Sequence, residues 1–262
     1  MKAVYSTLQL REVFHLEFLR WLGRKIRPNC YALKGGCNLR LFFKSFRYSE
    51  DADMDVRGIK RDTLKEAVMH ILNTASFQDS LRPFGVERII PPDITKAKQI
   101  ETTQRFEVHI MTYAGEDLFS KIEFSRRGFT SEVIVQPIDD RVLRTYELAP
   151  LVIPHYGICA AIVQKMHALS TRTIVQPRDI FDLYILSSQF DPVRTKEIKL
   201  ADVKIARVCE NIFGVDFSQF RDTVISYLSH EDRAMYNSEA LWDELKLKVS
   251  GFIEGFREAR EK

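Results

Sequence analysis

Asp51, Asp53 and Asp55 stand at alternate positions in the run Ser49-Glu50-Asp51-Ala52-Asp53-Met54-Asp55. On a β-strand, alternate side chains share one face, so the three carboxylates converge. Unpaired, they repel one another and suit a strand poorly. Hard cations between them resolve the conflict, because Mg²⁺ takes oxygen ligands and keeps positions open for water and phosphate. A solvated acidic loop is the other reading of the run alone. Upstream lies Lys34-Gly35-Gly36-Cys37, after a strand-like Tyr31–Leu33 and before a short amphipathic helix, Asn38–Phe43. A glycine pair there lets the backbone turn tightly and approach a ligand closely. It also opens a helix whose free N–H groups and dipole attract phosphate. Alone, the pair is equally what an ordinary tight turn uses. Together, a phosphate-binding turn and metal-binding acids describe chemistry on a nucleoside triphosphate.

This arrangement resembles the polymerase-β-like nucleotidyltransferases. KGGCNLRLFF and RYSEDADMD resemble the KGGTALRL and RFSEDIDLD signatures of the AbiEii/AbiGii toxin family, the nucleotidyltransferase toxins of type IV toxin–antitoxin systems. Further along, Lys165, Ala168, Leu169 and Arg172, then Arg178-Asp179 with Asp182-Leu183, resemble that family's KxxALxxR and RDxxDL.

The resemblance implies transfer of a nucleoside monophosphate from an NTP to an acceptor hydroxyl at a site holding two Mg²⁺ ions. Asp51 and Asp53 would be catalytic and hold metal, Lys165 would hold the triphosphate, and Asp179 would be the distal catalytic acid. Gly35, Gly36 and Cys37 would offer backbone N–H groups to the nucleotide's phosphates, with Lys34 and Arg40 adding positive charge. Ser49 would contact phosphate or a metal-bound water, a turn hydroxyl being its other reading. Such folds take a third carboxylate from a neighbouring strand. By chain order this is Glu123, ahead of Glu107, and a solvated edge-strand Glu is its alternative; Asp55 follows as a further ligand. Cys37 and Asn38 depart from the pattern, which usually has Thr or Ser and then a small residue. The implied acceptor is tRNA and the implied partner a cognate antitoxin. An aminoglycoside-type small molecule or a protein as acceptor, a metal-dependent nuclease and a catalytically reduced binding module stay open. A nuclease normally needs a lysine close after an acid on one strand, where KIEFS has Ser125.

The elements that must position these residues read as α+β: a polymerase-β-like core, a mixed sheet with flanking helices, then a helical C-terminal domain. With 262 residues, 45% hydrophobic and 29% charged, the chain has enough apolar residues for a real core. Its net charge of +3 permits a nucleic-acid partner without arguing for one. The N-terminus lacks a signal-peptide pattern and no apolar run is long enough to span a bilayer, which points to the cytoplasm. Cys30, Cys37, Cys159 and Cys209 show no metal-ligand or disulfide spacing. Leu10, Val13, Phe14, Phe18 and Leu22 mark a helix over residues 7–24, with Glu12 off its apolar face and His15 a structural histidine. Thr63-Leu64-Lys65-Glu66 has the form of a capping box that starts a helix. Residues 77–98, cut by Pro83, Pro91 and Pro92, have no assigned role. Runs 105–113 and 118–125 form a hairpin, and 131–138 a third strand. Arg126 and Arg127 are candidates for phosphate or RNA. The composition changes between about residues 140 and 155, near Pro150 and Pro154, giving domains 1–145 and 146–262. In the second, Arg178 and Asp182 are spaced for a helix salt bridge. Leu241, Leu245, Val249, Phe252 and Phe256 form an apolar stripe.

Overall fold

A computed structural model describes residues 4–93, 99–129, 131–200 and 203–261; the end of the unassigned stretch, 94–98, lies outside them. The chain divides into two compact units, Met1–Phe42 with Tyr48–Tyr156, and Phe43–Arg47 with Gly157–Lys262.

The first unit runs α1 (Thr7–Lys25), β1 (Tyr31–Lys34), α2 (Gly35–Phe42), β2 (Asp51–Val56), α3 (Arg61–Asn73), α4 (Ala75–Leu81), β3 (Val86–Ile90), β4 (Gln99–Ile100), β5 (Thr103–Thr112), β6 (Asp117–Ser125), β7 (Val133–Pro137), α5 (Asp140–Thr145) and β8 (Val152–Tyr156). Its sheet has the order β3-β5-β6-β2-β1-β8-β7, with β4 also on β5. The sheet is mixed: β2 runs parallel to β6 and β1 to β8, and the other pairs are antiparallel.

Period-two alternation decides which face is wet. Ala52, Met54, Ile122, Phe124, Phe106 and Val108 turn into the core, while Asp51, Asp53, Lys121, Glu123, Arg105 and Glu107 share the other face. Helices α1, α3 and α4 supply the apolar cover. Ser6 caps α1 through a capping box with Gln9, and Phe14, Phe18 and Leu22 on that helix are fully buried. Phe14→Ala would cost about 3–5 kcal/mol by the cavity it leaves.

Three charged or titratable residues of α1 lie inside, Glu12, His15 and Glu17, the last accepting from Arg20 Nε at 3.1 Å. His15 donates from Nε2 to Ser120 Oγ at 2.8 Å, and that hydroxyl donates to the Glu50 carbonyl at 2.9 Å, which fixes the tautomer. Burial lowers the His15 pKa to about 3. Glu12, which the helical pattern puts off the apolar face, is buried and accepts from Arg40 Nε at 2.5 Å and from the Tyr146 hydroxyl at 2.6 Å. The apolar wheel misplaces Glu12 because its partners come from α2 and from beyond α5.

Three other readings change. α3 begins at Arg61 with Lys60 as N-cap and no side-chain cap, so Thr63 starts nothing. Arg126 donates to Gln104 and to the Ile59 carbonyl, a structural use of its charge. Val152–Tyr156 is a strand of the first unit although it follows the proposed 145/146 boundary.

The second unit holds α6 (Ile158–Thr171), α7 (Pro177–Ser187), α8 (Ile205–Phe213), α9 (Phe217–Thr223), α10 (His230–Tyr236) and α11 (Glu239–Glu261). Leu245, Val249 and Phe256 of the α11 stripe are buried, together with Trp242, which stacks on Phe220 with centroids 4.2 Å apart. Among the described residues, no helix is long and apolar enough to cross a membrane.

Candidate active site

β1 ends at Lys34 and α2 begins at once, because Gly35 adopts φ +69° and reverses the chain there. The turn lies against Asp53: a Cβ on Gly35 would fall 2.9 Å from Asp53 Oδ2. Lys34 is opposite Asp53 in the antiparallel β1–β2 register. On the other side of β2, the parallel register with β6 sets Asp53 opposite Glu123 and Asp51 opposite Lys121, and Arg105 of β5 is opposite Glu123. One row across five strands thus reads Tyr156, Lys34, Asp53, Glu123, Arg105.

Ion pairs hold the carboxylates around Asp53. Lys121 Nζ is 2.7 Å from Asp51 Oδ2, and Arg105 is 2.7 Å from Glu123 Oε2. Asp53 is the exception, with no hydrogen bond or ion pair among the described residues. Burial raises its pKa, the charges of Asp51 and Glu123 raise it further, and Lys34 and Lys121 only partly oppose them. The centre of the row is short of positive charge.

Among the described residues, no three of His, Cys, Asp and Glu stand as a ready-made metal cage, since Asp51 is drawn to Lys121 and Glu123 to Arg105. The donor chemistry still fits a hard divalent cation. All three side chains are carboxylates on one face, and burial together with the charges of Asp51 and Glu123 raises the pKa of the one between them.

The other sequence candidates have plain positions. Cys37 is buried and its thiol pKa is pushed up by burial, so it offers the backbone rather than sulfur. Arg40 is committed to Glu12 and lies 4.2 Å over the Tyr48 ring, where it anchors α2. The Ser49 hydroxyl donates to the Asp51 carbonyl at 2.8 Å, the turn use foreseen as its alternative. Glu107 lies opposite Lys121 on the same sheet face and is exposed. Asp55 is buried and bonded to Lys34 and Tyr156.

Lys165 and Asp179 lie in the second unit. Lys165 Nζ is 2.8 Å from Asp179 and 2.6 Å from Asp182. Asp179 also pairs with Arg172, and Asp182 with Arg47 at 3.1 Å. Burial works against the charge on Lys165, but Asp179 and then Asp182 outweigh it, and its pKa is raised. Arg47, Lys165 and Arg172 against Asp179 and Asp182 leave one positive charge over. Asp182 therefore answers to Arg47 and Lys165, and the helix salt bridge with Arg178 is not made. Sequence reasoning left out Arg47 and Tyr156. Both meet their acids only through pairings more than a hundred residues apart.

A family model described as "Nucleotidyl transferase AbiEii toxin, Type IV TA system" matches residues 18–260. Among solved structures, the chain is similar to JHP933 from Helicobacter pylori, at 20% identity and TM-score 0.56 over 99% of this chain and 95% of that one. A putative nucleotidyltransferase from H. pylori also gives 20% identity and TM-score 0.56, over 98% of each chain. MenT4, a nucleotidyltransferase toxin from Mycobacterium tuberculosis H37Rv, gives 15% identity and TM-score 0.60 over 95% of this chain and 84% of that one. At these identities the likeness shows the shared fold. No curated protein matches the chain in sequence.

Proposed function

The chain belongs to the AbiEii nucleotidyl transferase toxin family of type IV toxin–antitoxin systems, and from that premise we propose that it transfers a nucleoside monophosphate from an NTP to a hydroxyl of tRNA. The observation that carries the reading is the register that sets Asp53 beside Glu123 and against the Gly35 turn, in a centre short of positive charge.

In this reading Asp51 and Asp53 hold Mg²⁺, with Glu123 as the third carboxylate. Bound there, Mg²⁺ supplies polarisation of the acceptor oxygen and neutralises the departing pyrophosphate. The backbone N–H groups of Gly35, Gly36 and Cys37 face the nucleotide's phosphates at the start of α2, where the helix dipole favours negative charge. Lys34 adds a cation to that turn. Lys165, kept charged and oriented by Asp179 and Asp182, is a second phosphate-binding cation, and Asp179 is the distal acid of the motif. Ser49, by holding the Asp51 carbonyl, fixes the entry to β2. Arg40 contributes by anchoring α2 to Glu12. A cognate antitoxin opposes the activity, and the reaction runs in the cytoplasm, where NTP and tRNA meet.

The test is incubation of the purified chain with each α-labelled NTP, Mg²⁺ and total tRNA, comparing the natural chain with Asp53→Ala. Label entering RNA only with the natural chain supports the reading and identifies the NTP. RNA shortened without NTP would replace it with a nuclease. Label that enters a small molecule or protein instead would move the acceptor while keeping the chemistry.

A further inference from the structure

Three adjacent strands bring Tyr156 of β8, Lys34 of β1 and Asp55 of β2 to one face. Lys34 lies opposite Asp53, yet its amine reaches diagonally to Asp55 Oδ1 at 2.5 Å. The other oxygen of Asp55 accepts the Tyr156 hydroxyl at 2.7 Å. Asp55 is 3% exposed and Tyr156 fully buried, whereas the Lys34 side chain keeps 28% of its surface open. The chain of three therefore has two closed members and one open end, and the open end stands beside Asp53 and the Gly35 turn.

Asp55 follows the pattern of Asp51 and Asp53 in sequence but not in use. Both of its oxygens are taken, so it does not converge with them on a cation. A lysine ammonium has three N–H groups on a flexible four-carbon stem. Asp55 takes one and restricts the stem, while the rest of the ammonium keeps open surface on the residue that is opposite Asp53 and precedes Gly35. Tyr156 satisfies the second oxygen with a neutral hydroxyl, so no second cation competes with Lys34 for the Asp55 charge. We propose that Asp55 and Tyr156 are positioning residues that tether the Lys34 ammonium at the Gly35 turn, where it meets the phosphates of the nucleotide. The inference rests on the nucleotidyl-transfer reading and adds the device that pre-orders one of its cations.

The experiment is calorimetric titration of the full chain, in Mg²⁺, with ATP, GTP, CTP and UTP, continued with the tightest binder at a temperature where melting curves show every variant folded. Tyr156→Phe removes one oxygen and should weaken binding roughly three- to tenfold, the size of a lost charge-assisted hydrogen bond. Lys34→Ala should weaken it more. Added to Lys34→Ala, Tyr156→Phe should change nothing further, because residues acting through one another are not additive. Asp55→Asn gives a second, independent cycle with Lys34→Ala and carries the test should Tyr156→Phe not fold. Binding unchanged in Tyr156→Phe and Asp55→Asn, or weakening that persists in the Lys34→Ala background, overturns the tether while leaving nucleotidyl transfer intact. If the natural chain binds none of the four nucleotides, the functional reading fails and the tether falls with it.

Discussion

Gly35→Ala tests the close approach of the turn to Asp53. The substitution meets two separate penalties. At φ +69° an alanine sits in the left-handed region, which costs a non-glycine residue about 1–2 kcal/mol. The reduced freedom of the unfolded chain returns about 0.4–1 kcal/mol of this. The new Cβ would also lie 2.9 Å from Asp53 Oδ2 and 3.4 Å from its Cβ. Relief of such overpacking costs about 1–3 kcal/mol more. Gly58 supplies the control, because its φ is +66° and nothing lies within 4 Å of its Cβ position. Urea denaturation should therefore show Gly58→Ala losing about 1 kcal/mol or less, and Gly35→Ala about 2–4 kcal/mol, from the terms just given. Because Asp53 is the group that must move, nucleotidyl transfer should fall about a hundredfold in Gly35→Ala, as expected for a reacting group displaced by about 1 Å. Gly58→Ala should keep full activity. Equal losses of stability in the two variants, or full activity in Gly35→Ala, would refute the claim that the turn and Asp53 are packed as one unit.

Asp53→Asn should be more stable than the natural chain at neutral pH and should lose transfer activity. Asp53 binds its proton more tightly folded than unfolded, so its ionisation costs stability as pH rises through the folded pKa. The gain should vanish in acid, and a variant less stable at neutral pH would contradict the electrostatics. His15, with its pKa lowered from 6.5 to about 3, gives the opposite slope. Its contribution is present above pH 6.5 and lost as pH falls towards 3, so His15→Gln should flatten the stability profile across that window in pH-dependent melting. Lys165→Met strips the cation between two buried carboxylates but leaves Arg172 on Asp179 and Arg47 on Asp182, so it should cost about 1–3 kcal/mol in urea denaturation, the size of lost hydrogen bonds to buried groups. A loss under about 1 kcal/mol would mean that Arg47 and Arg172 suffice to hold Asp179 and Asp182.

The centre of the site was legible because it is local. The glycine turn is adjacent to β1, and the acids of β2 follow a strict alternation that survives folding. Chain order put Glu123 on a strand next to β2, ahead of Glu107, and the parallel register with β2 sets it opposite Asp53. What escaped depends on pairings distant in sequence. Val152–Tyr156 contains Pro154, which has no N–H and reads as a break in a strand. β1 meets β8 beyond it, through Leu33 and His155. Missing that strand hid Tyr156, and with it the reason Asp55 differs from Asp51 and Asp53. Glu12 and Asp182 look like surface residues until Arg40 and Arg47 arrive. Thr63 and Glu66 carry a capping pattern, but α3 is already under way when the chain reaches them.

The five-residue excursion Phe43–Arg47 bears on the order of synthesis. Phe46 packs on Phe181 and Tyr236, and Arg47 binds Asp182, all of which leave the ribosome long after the sheet strands. The first unit can pair its strands once β8 has emerged, while the link between its glycine turn and its acidic strand settles only after α7 and α10. A fragment ending at Tyr156 would carry Phe46 with none of the aromatic rings that cover it in the full chain, and would be expected to aggregate. A cell making this protein therefore pairs the strands of the first unit before the link Phe43–Arg47 has anything to pack on.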